Sequence, residues 1–184
     1  MKQWQRFPTF KQRREWVELQ FMAAAALHGC HVLKPWGDSL EYDVAIEHSG
    51  NLTRVQVKSS TVRNGTGYFC QFRRNYLAEE PYSVRDLDLF AAYIIPENVW
   101  YMIPAIVILT PTLKVAATLC PMTALKKDRY RYEHYREAWD LLGKTSRQLA
   151  RHAALMIPSG RALLSRRVNA HEQTTLSSRP EPER

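Results

Sequence analysis

Glu41-Tyr-Asp-Val-Ala-Ile-Glu-His-Ser-Gly-Asn-Leu-Thr-Arg-Val-Gln-Val-Lys58 carries two alternating runs about a short polar centre. Tyr42, Val44 and Ile46 alternate with Asp43, Ala45 and Glu47, and Val55 and Val57 alternate with Gln56 and Lys58. This is the two-residue period of half-buried strands. Ser49-Gly50 supplies the turn. A symmetric two- or four-residue loop centred there sets Asp43 opposite Gln56 and Glu41 opposite Lys58. The stretch therefore predicts a β-hairpin with Tyr42, Val44, Val55 and Val57 packed inward on one face. Asp43, Gln56 and Lys58 gather on the other. That polar face has two readings. It is the wet side of an antiparallel sheet, or it is a set of oxygen ligands for a hard cation such as Mg²⁺ with an ammonium beside it. No other stretch offers a better metal or nucleophile arrangement.

Upstream, residues 11 to 29 are rich in helix formers and end at Gly29, a natural C-terminal stop. In such a helix Val17, Phe21, Ala24 and Ala25 share a face, and Glu18 sits at the edge of that stripe. A carboxylate there needs a partner or a cation, or else is a surface Glu beside an Arg.

The order Glu18 on a helix, Lys34-Pro-Trp-Gly-Asp38, Tyr42-Asp43 and Val55-Gln-Val-Lys58-Ser59 resembles the PD-(D/E)XK nuclease superfamily. It is most similar to the small bacterial branch related to group I intron homing endonucleases and Holliday junction resolvases. The resemblance runs from about Arg13 to about Tyr101, with Tyr132 to Leu142 as a weaker further match. It implies an α/β fold of restriction-endonuclease type, a mixed β-sheet flanked by helices. It implies a DNA endonuclease dependent on Mg²⁺ (or Mn²⁺), working as a homodimer because two strands call for two sites. Asp43 then matches the central metal ligand, and Gln56 occupies the (D/E) position. The backbone carbonyl of Val57 lies between them as a further ligand. Glu18 matches the helix glutamate that assists metal binding. Lys58 matches the lysine that orients or activates the attacking water and stabilises charge on the phosphate. Gln56 departs from the carboxylate pattern, and a neutral amide holds Mg²⁺ more weakly; glutamine at this position nonetheless occurs in active members. The alternatives are a nucleic-acid-binding protein that keeps the scaffold without cutting, and a junction-resolving or RNA-directed nuclease.

The 184 residues predict one domain, 1–158 with a basic N-terminal arm, followed by a disordered Ser-, Arg- and Pro-rich tail, 159–184. A net charge of +8 favours a polyanionic partner. A membrane is the weaker choice: the longest apolar-rich run, Val99 to Val107, contains Pro104 and falls short of the ~20 residues that span a bilayer. The basic start is not followed by an apolar run and a cleavage site, so secretion is not expected. Cys30, Cys70 and Cys120 are scattered, without metal-ligand spacing, which suits a reducing cytoplasm. No phosphate-binding glycine loop and no HExxH motif is present.

The remaining basic residues divide between phosphate contact and solvated surface. Lys2, Arg6, Lys11, Arg13 and Arg14 form the arm. Ser59, Ser60 and Thr61 with Arg63, Arg73 and Arg74 form a rim beside the polar face, and Lys126, Lys127 and Arg129 a basic loop interleaved with Tyr130 and Tyr132. Trp36 is expected to pack under the site. Cys30 to Pro35, Tyr68 to Arg73, Asp88 to Ile95 and Val99 to Ile103 read as strands, the last two buried on both sides. Asp86 and Asp88 read as flanking turn residues rather than metal ligands. Ala105 to Leu109 and Val115 to Leu119 are expected as short strands, and Tyr135 to Leu142 and Thr145 to Ile157 as helices.

Overall fold

A computed structural model of the protein describes residues 7–37, 39–74, 82–109, 116–121 and 132–156. Strands β2 (Val44–His48) and β3 (Asn51–Ser60) form the hairpin, with Val44 opposite Val55 and His48 opposite Asn51. Ser49 and Gly50 both take positive φ, 52° and 76°. Two consecutive left-handed residues make the turn whose twist matches that of paired strands. The ladder thus has the register of the symmetric two-residue loop. Beyond Val44 it thins to one bond, from the Asp43 N–H to the Val55 carbonyl at 3.0 Å. Glu41 lies outside the strand and, instead of facing Lys58, forms an ion pair with Arg74.

Strand β1 (His31–Leu33) pairs antiparallel with β2. On the other side, β3 runs parallel to β6 (Leu89–Ile94), and β6 pairs antiparallel with β7 (Val99–Pro104). The result is a mixed five-stranded sheet in the order β1-β2-β3-β6-β7. Every residue of β6 is buried, as its unbroken apolar run predicts for a strand covered on both faces. The crossover from β3 to β6 contains β4 (Arg63–Asn64) and β5 (Gly67–Gln71), where the sequence suggests a polar loop before the Tyr68 strand. With β8 (Ala116–Leu119) they form a second sheet, β4-β5-β8.

Helix α1 (Phe10–Leu27) is N-capped by Thr9, whose hydroxyl accepts the Gln12 N–H at 3.2 Å. It buries Val17, Phe21 and Ala25. Trp16 and Phe21 meet Tyr93 and Trp100, so α1 covers the face that also carries Val55 and Val57. The opposite face is covered as well: Phe72 and Tyr82 stand edge-on to Phe90. Gln56 on that face is 3 % exposed and Asp43 and Lys58 are half-buried, so this part of the polar face is covered and the wet-side reading fails there.

Two further expectations change. Ala105–Ile108 is a single helical turn, α2, entered at Pro104, where a short apolar run is ambiguous between strand and buried helix. Residues 135 to 142 are two separate 3₁₀ turns, Glu133–Tyr135 and Trp139–Leu141. Between them Glu137 takes φ 51° and donates its N–H to the Trp100 carbonyl at 2.9 Å, and Arg136 bridges Tyr101. Extending the edge of β7 overrides the helical period there. Helix α3 (Ser146–Met156) follows. Among the described residues no helix is long and apolar enough to cross a membrane.

Candidate active site

The site forms where β2 stops short of β3. Asp43, one residue before β2, reaches past the end of the ladder, and its Oδ2 accepts the Val57 N–H at 2.9 Å and the Gln56 Nε2 amide at 2.5 Å. Backbone groups of a strand alternate sides, so the Val57 carbonyl leaves β3 on the same side as its N–H, beyond the last β2 partner. Next along β3, Lys58 Nζ donates to the Arg73 carbonyl at 3.1 Å and to the Tyr82 hydroxyl at 3.0 Å. From α1, Glu18 is paired through Oε2 with Lys34 Nζ at 2.5 Å and keeps 15 % of its side chain exposed.

These groups sense one another electrostatically. Burial pulls the Lys58 ammonium down to about 8, opposed first by the Asp43 charge and further by Glu18, while Arg14 presses in the same direction as burial. Burial, reinforced by Asp43, raises the Tyr82 phenol. Burial also pushes the Cys70 thiol up to about 12, so it remains a protonated packing group. Asp43, Gln56, Lys58, Glu18 and Arg14 therefore belong to one neighbourhood, together with Tyr82, which the sequence does not flag. Tyr82 follows Pro81 in a stretch without periodicity, and only the crossover brings it to Lys58.

The donor set suits a hard cation. Asp43 and Glu18 offer carboxylate oxygens, Val57 a carbonyl and Gln56 an amide oxygen, all appropriate to Mg²⁺ or Mn²⁺ rather than to thiolate-seeking metals. Among the described residues no three His, Cys, Asp or Glu side chains converge as a ready metal cluster, so a cation held here would need neutral oxygens to complete its ligands. One detail runs against the simplest arrangement: Gln56 turns its nitrogen, not its oxygen, toward Asp43.

The expected rim is only partly at the surface. Lys11, Arg14, Arg63, Arg73 and Arg74 are exposed, and Arg13 and Ser59 are half-buried. Arg13 lies over the Phe10 ring at 4.9 Å. Ser60 departs from the rim: it is 4 % exposed, its hydroxyl donating to the Phe69 carbonyl at 2.6 Å and accepting the Val62 N–H at 3.2 Å. Lys126, Lys127 and Arg129, like Lys2, Arg6, Asp38 and the tail 159–184, lie outside the described residues. Trp36 does not pack under the site but stands 99 % exposed on the loop after β1.

The chain matches the family model described as PD-(D/E)XK endonuclease over residues 9–142. No curated protein matches it. Among solved structures, a bacterial homing endonuclease, I-Ssp6803I, is similar at a TM-score of 0.62 and 27% sequence identity, over 81% of this chain and 97% of that one. The matched span contains the hairpin, its Asp43–Gln56 contact and Lys58, and on that footing the chain belongs to the PD-(D/E)XK endonuclease family.

Proposed function

We propose that the protein is a Mg²⁺-dependent DNA endonuclease that hydrolyses phosphodiester bonds. The observation that carries this is a carboxylate fixed at a strand end with the desolvated Lys58 ammonium beside it, both at their motif positions. The similar solved protein is a homing endonuclease, which supports DNA as the polymer. Asp43, Glu18, the Val57 carbonyl and Gln56 hold the cation. A divalent ion bound there supplies a water of lowered pKa and offsets phosphate charge. Lys58, with little water around it, stabilises charge on the reacting phosphate. No covalent protein nucleophile is needed. Gln56 joins as an oxygen ligand only when its amide turns over, giving up a hydrogen bond to a charged acceptor valued at about 1.5–3 kcal/mol. Lys11, Arg13, Arg14, Ser59, Arg63, Arg73 and Arg74 contact backbone phosphates, and Lys126, Lys127 and Arg129 extend that footprint. Two-strand cleavage is served by a homodimer built on residues 1–158, with 159–184 outside the catalytic unit.

The deciding experiment incubates the protein with supercoiled, linear and branched DNA in Mg²⁺, Mn²⁺ or chelator, alongside Asp43→Ala and Lys58→Ala. Metal-dependent nicking or cleavage that both substitutions remove, with cooperative melting retained, is the expected result. Cleavage of equal rate in all three proteins sinks the assignment. Metal-independent DNA binding without cutting favours a scaffold that binds only.

A further inference from the structure

The Lys58 ammonium is held from the far side of the crossover. Arg73, just past β5, offers its carbonyl at 3.1 Å, and Tyr82, approaching β6, offers its hydroxyl at 3.0 Å. The ammonium also lies 4.9 Å from the centroid of the Tyr82 ring, within reach of its π-face. Tyr82 is itself immobilised: it is 7 % exposed, and its ring meets Phe90 edge-on with centroids 5.6 Å apart. Phe90 is fully buried in β6. The hydroxyl therefore takes its position from the core of the central sheet.

A phenylalanine would fill the same space without the cost of burying a hydroxyl. What the hydroxyl adds is an acceptor for one ammonium at the end of a flexible four-carbon stem, a side chain that carries about 2 kcal/mol of rotamer entropy. We infer that Tyr82 is a positioning residue: it pins Lys58 Nζ beside Asp43 before substrate arrives, so that the ammonium needs no reorganisation when charge develops on the phosphate. This rests on the nuclease reading of the site.

Tyr82→Phe keeps the ring and removes only the acceptor. Expected is a fall in kcat of roughly 10–100-fold, the scale of an ångström of misplacement, with KM for DNA and the melting midpoint unchanged. The direct readout needs no turnover. In protein labelled with ¹⁵N-lysine, the Lys58 ammonium resonance, assigned by its loss in Lys58→Arg, is exchange-protected in wild type and lost to solvent exchange in Tyr82→Phe. An unchanged resonance overturns the inference whatever happens to kcat. An unchanged kcat also overturns it, provided wild type cuts and Lys58→Ala does not, and then the nuclease reading survives. Should wild type itself not cut, the nuclease reading fails, and the resonance alone decides whether Tyr82 holds Lys58.

Discussion

Asp43 and Asp88 each stand one residue before a strand of the main sheet, yet their surroundings differ in kind. Asp88, 7 % exposed, is saturated: Arg54 donates to it through Nε at 2.9 Å, Nη2 at 3.0 Å and its backbone N–H at 2.9 Å, and Ser146 Oγ donates at 2.7 Å. Arg54 is tied in turn to the Arg85 carbonyl. Among the described residues, Asp43 receives neutral donors alone, both on Oδ2. Its cationic neighbour Lys58 is turned toward Tyr82 and Arg73. A carboxylate whose oxygens are matched by a guanidinium and a hydroxyl is a fastener, here joining β3, β6 and the start of α3. One left short of positive charge is able to take up a cation. The contrast also explains why reading Asp88 as a non-ligand agrees with its surroundings.

The largest expected effect breaks this contrast into two readouts. Asp88→Ala leaves the half-buried Arg54 without its partner and should cost about 3–5 kcal/mol of stability by chemical denaturation. Asp43→Ala should cost about 1–3 kcal/mol, since neutral donors lose their acceptor, while abolishing metal-dependent cleavage. If Asp43→Ala proves the more destabilising and leaves cleavage intact, the roles are reversed and the site lies elsewhere.

Next in size is Gln56→Glu. It replaces a donor to Asp43 by a second carboxylate, and like charges in contact raise the pKa of one of them. Metal-free variant protein should be less stable than wild type by about 1–3 kcal/mol at neutral pH, and Mg²⁺ should restore the difference while binding more tightly. The penalty should ease as pH falls through the raised pKa, because protonation removes the repulsion. A calorimetric Mg²⁺ affinity equal to that of wild type would remove residue 56 from the ligand set.

Asp88 supplies the opposite pH signature. Burial would raise its carboxyl, but hydrogen bonds from Arg54 and Ser146 outweigh it and hold the group below the usual carboxylate range. Its contribution to stability is therefore complete above the unfolded value of about 3.9 and declines as pH falls through the lower folded value. Asp88→Asn should flatten that acid limb of the stability curve. An identical limb in wild type and variant would show that other carboxylates control acid unfolding.

How much of this the sequence discloses depends on distance along the chain. The hairpin register follows from strand alternation and Ser49-Gly50, both local, and it places Asp43 against Gln56 correctly. The burial of Gln56 does not follow, because the cover comes from Phe72 and Tyr82 packed on Phe90 after a crossover. The same holds for Arg54 and Asp88, 34 residues apart. Ala105–Ile108 failed for a different reason: four apolar residues show no period long enough to separate one helical turn from a strand. Trp36 shows the limit of composition, since a large aromatic is usually buried and this one is 99 % exposed.

The smallest expected effect concerns the third carboxylate, Glu18, which resembles neither of the other two. Among the described residues its ion-pair partner is Lys34 at 2.5 Å, itself 49 % exposed. Solvent-exposed ion pairs contribute about 0.2–1 kcal/mol, so Lys34→Met should barely move the melting midpoint. If Glu18 belongs to the cation site, however, Lys34 competes with the metal for that carboxylate. Removing it should then tighten Mg²⁺ binding by up to about fivefold, the equilibrium equivalent of about 1 kcal/mol. Titration without DNA isolates this from any phosphate contact by Lys34. Glu18→Gln should weaken binding in the same assay and cancel the gain when combined with Lys34→Met. Equal Mg²⁺ affinity in all of these proteins would make Glu18–Lys34 an ordinary bridge between α1 and the end of β1, and would reduce the cation site to the hairpin.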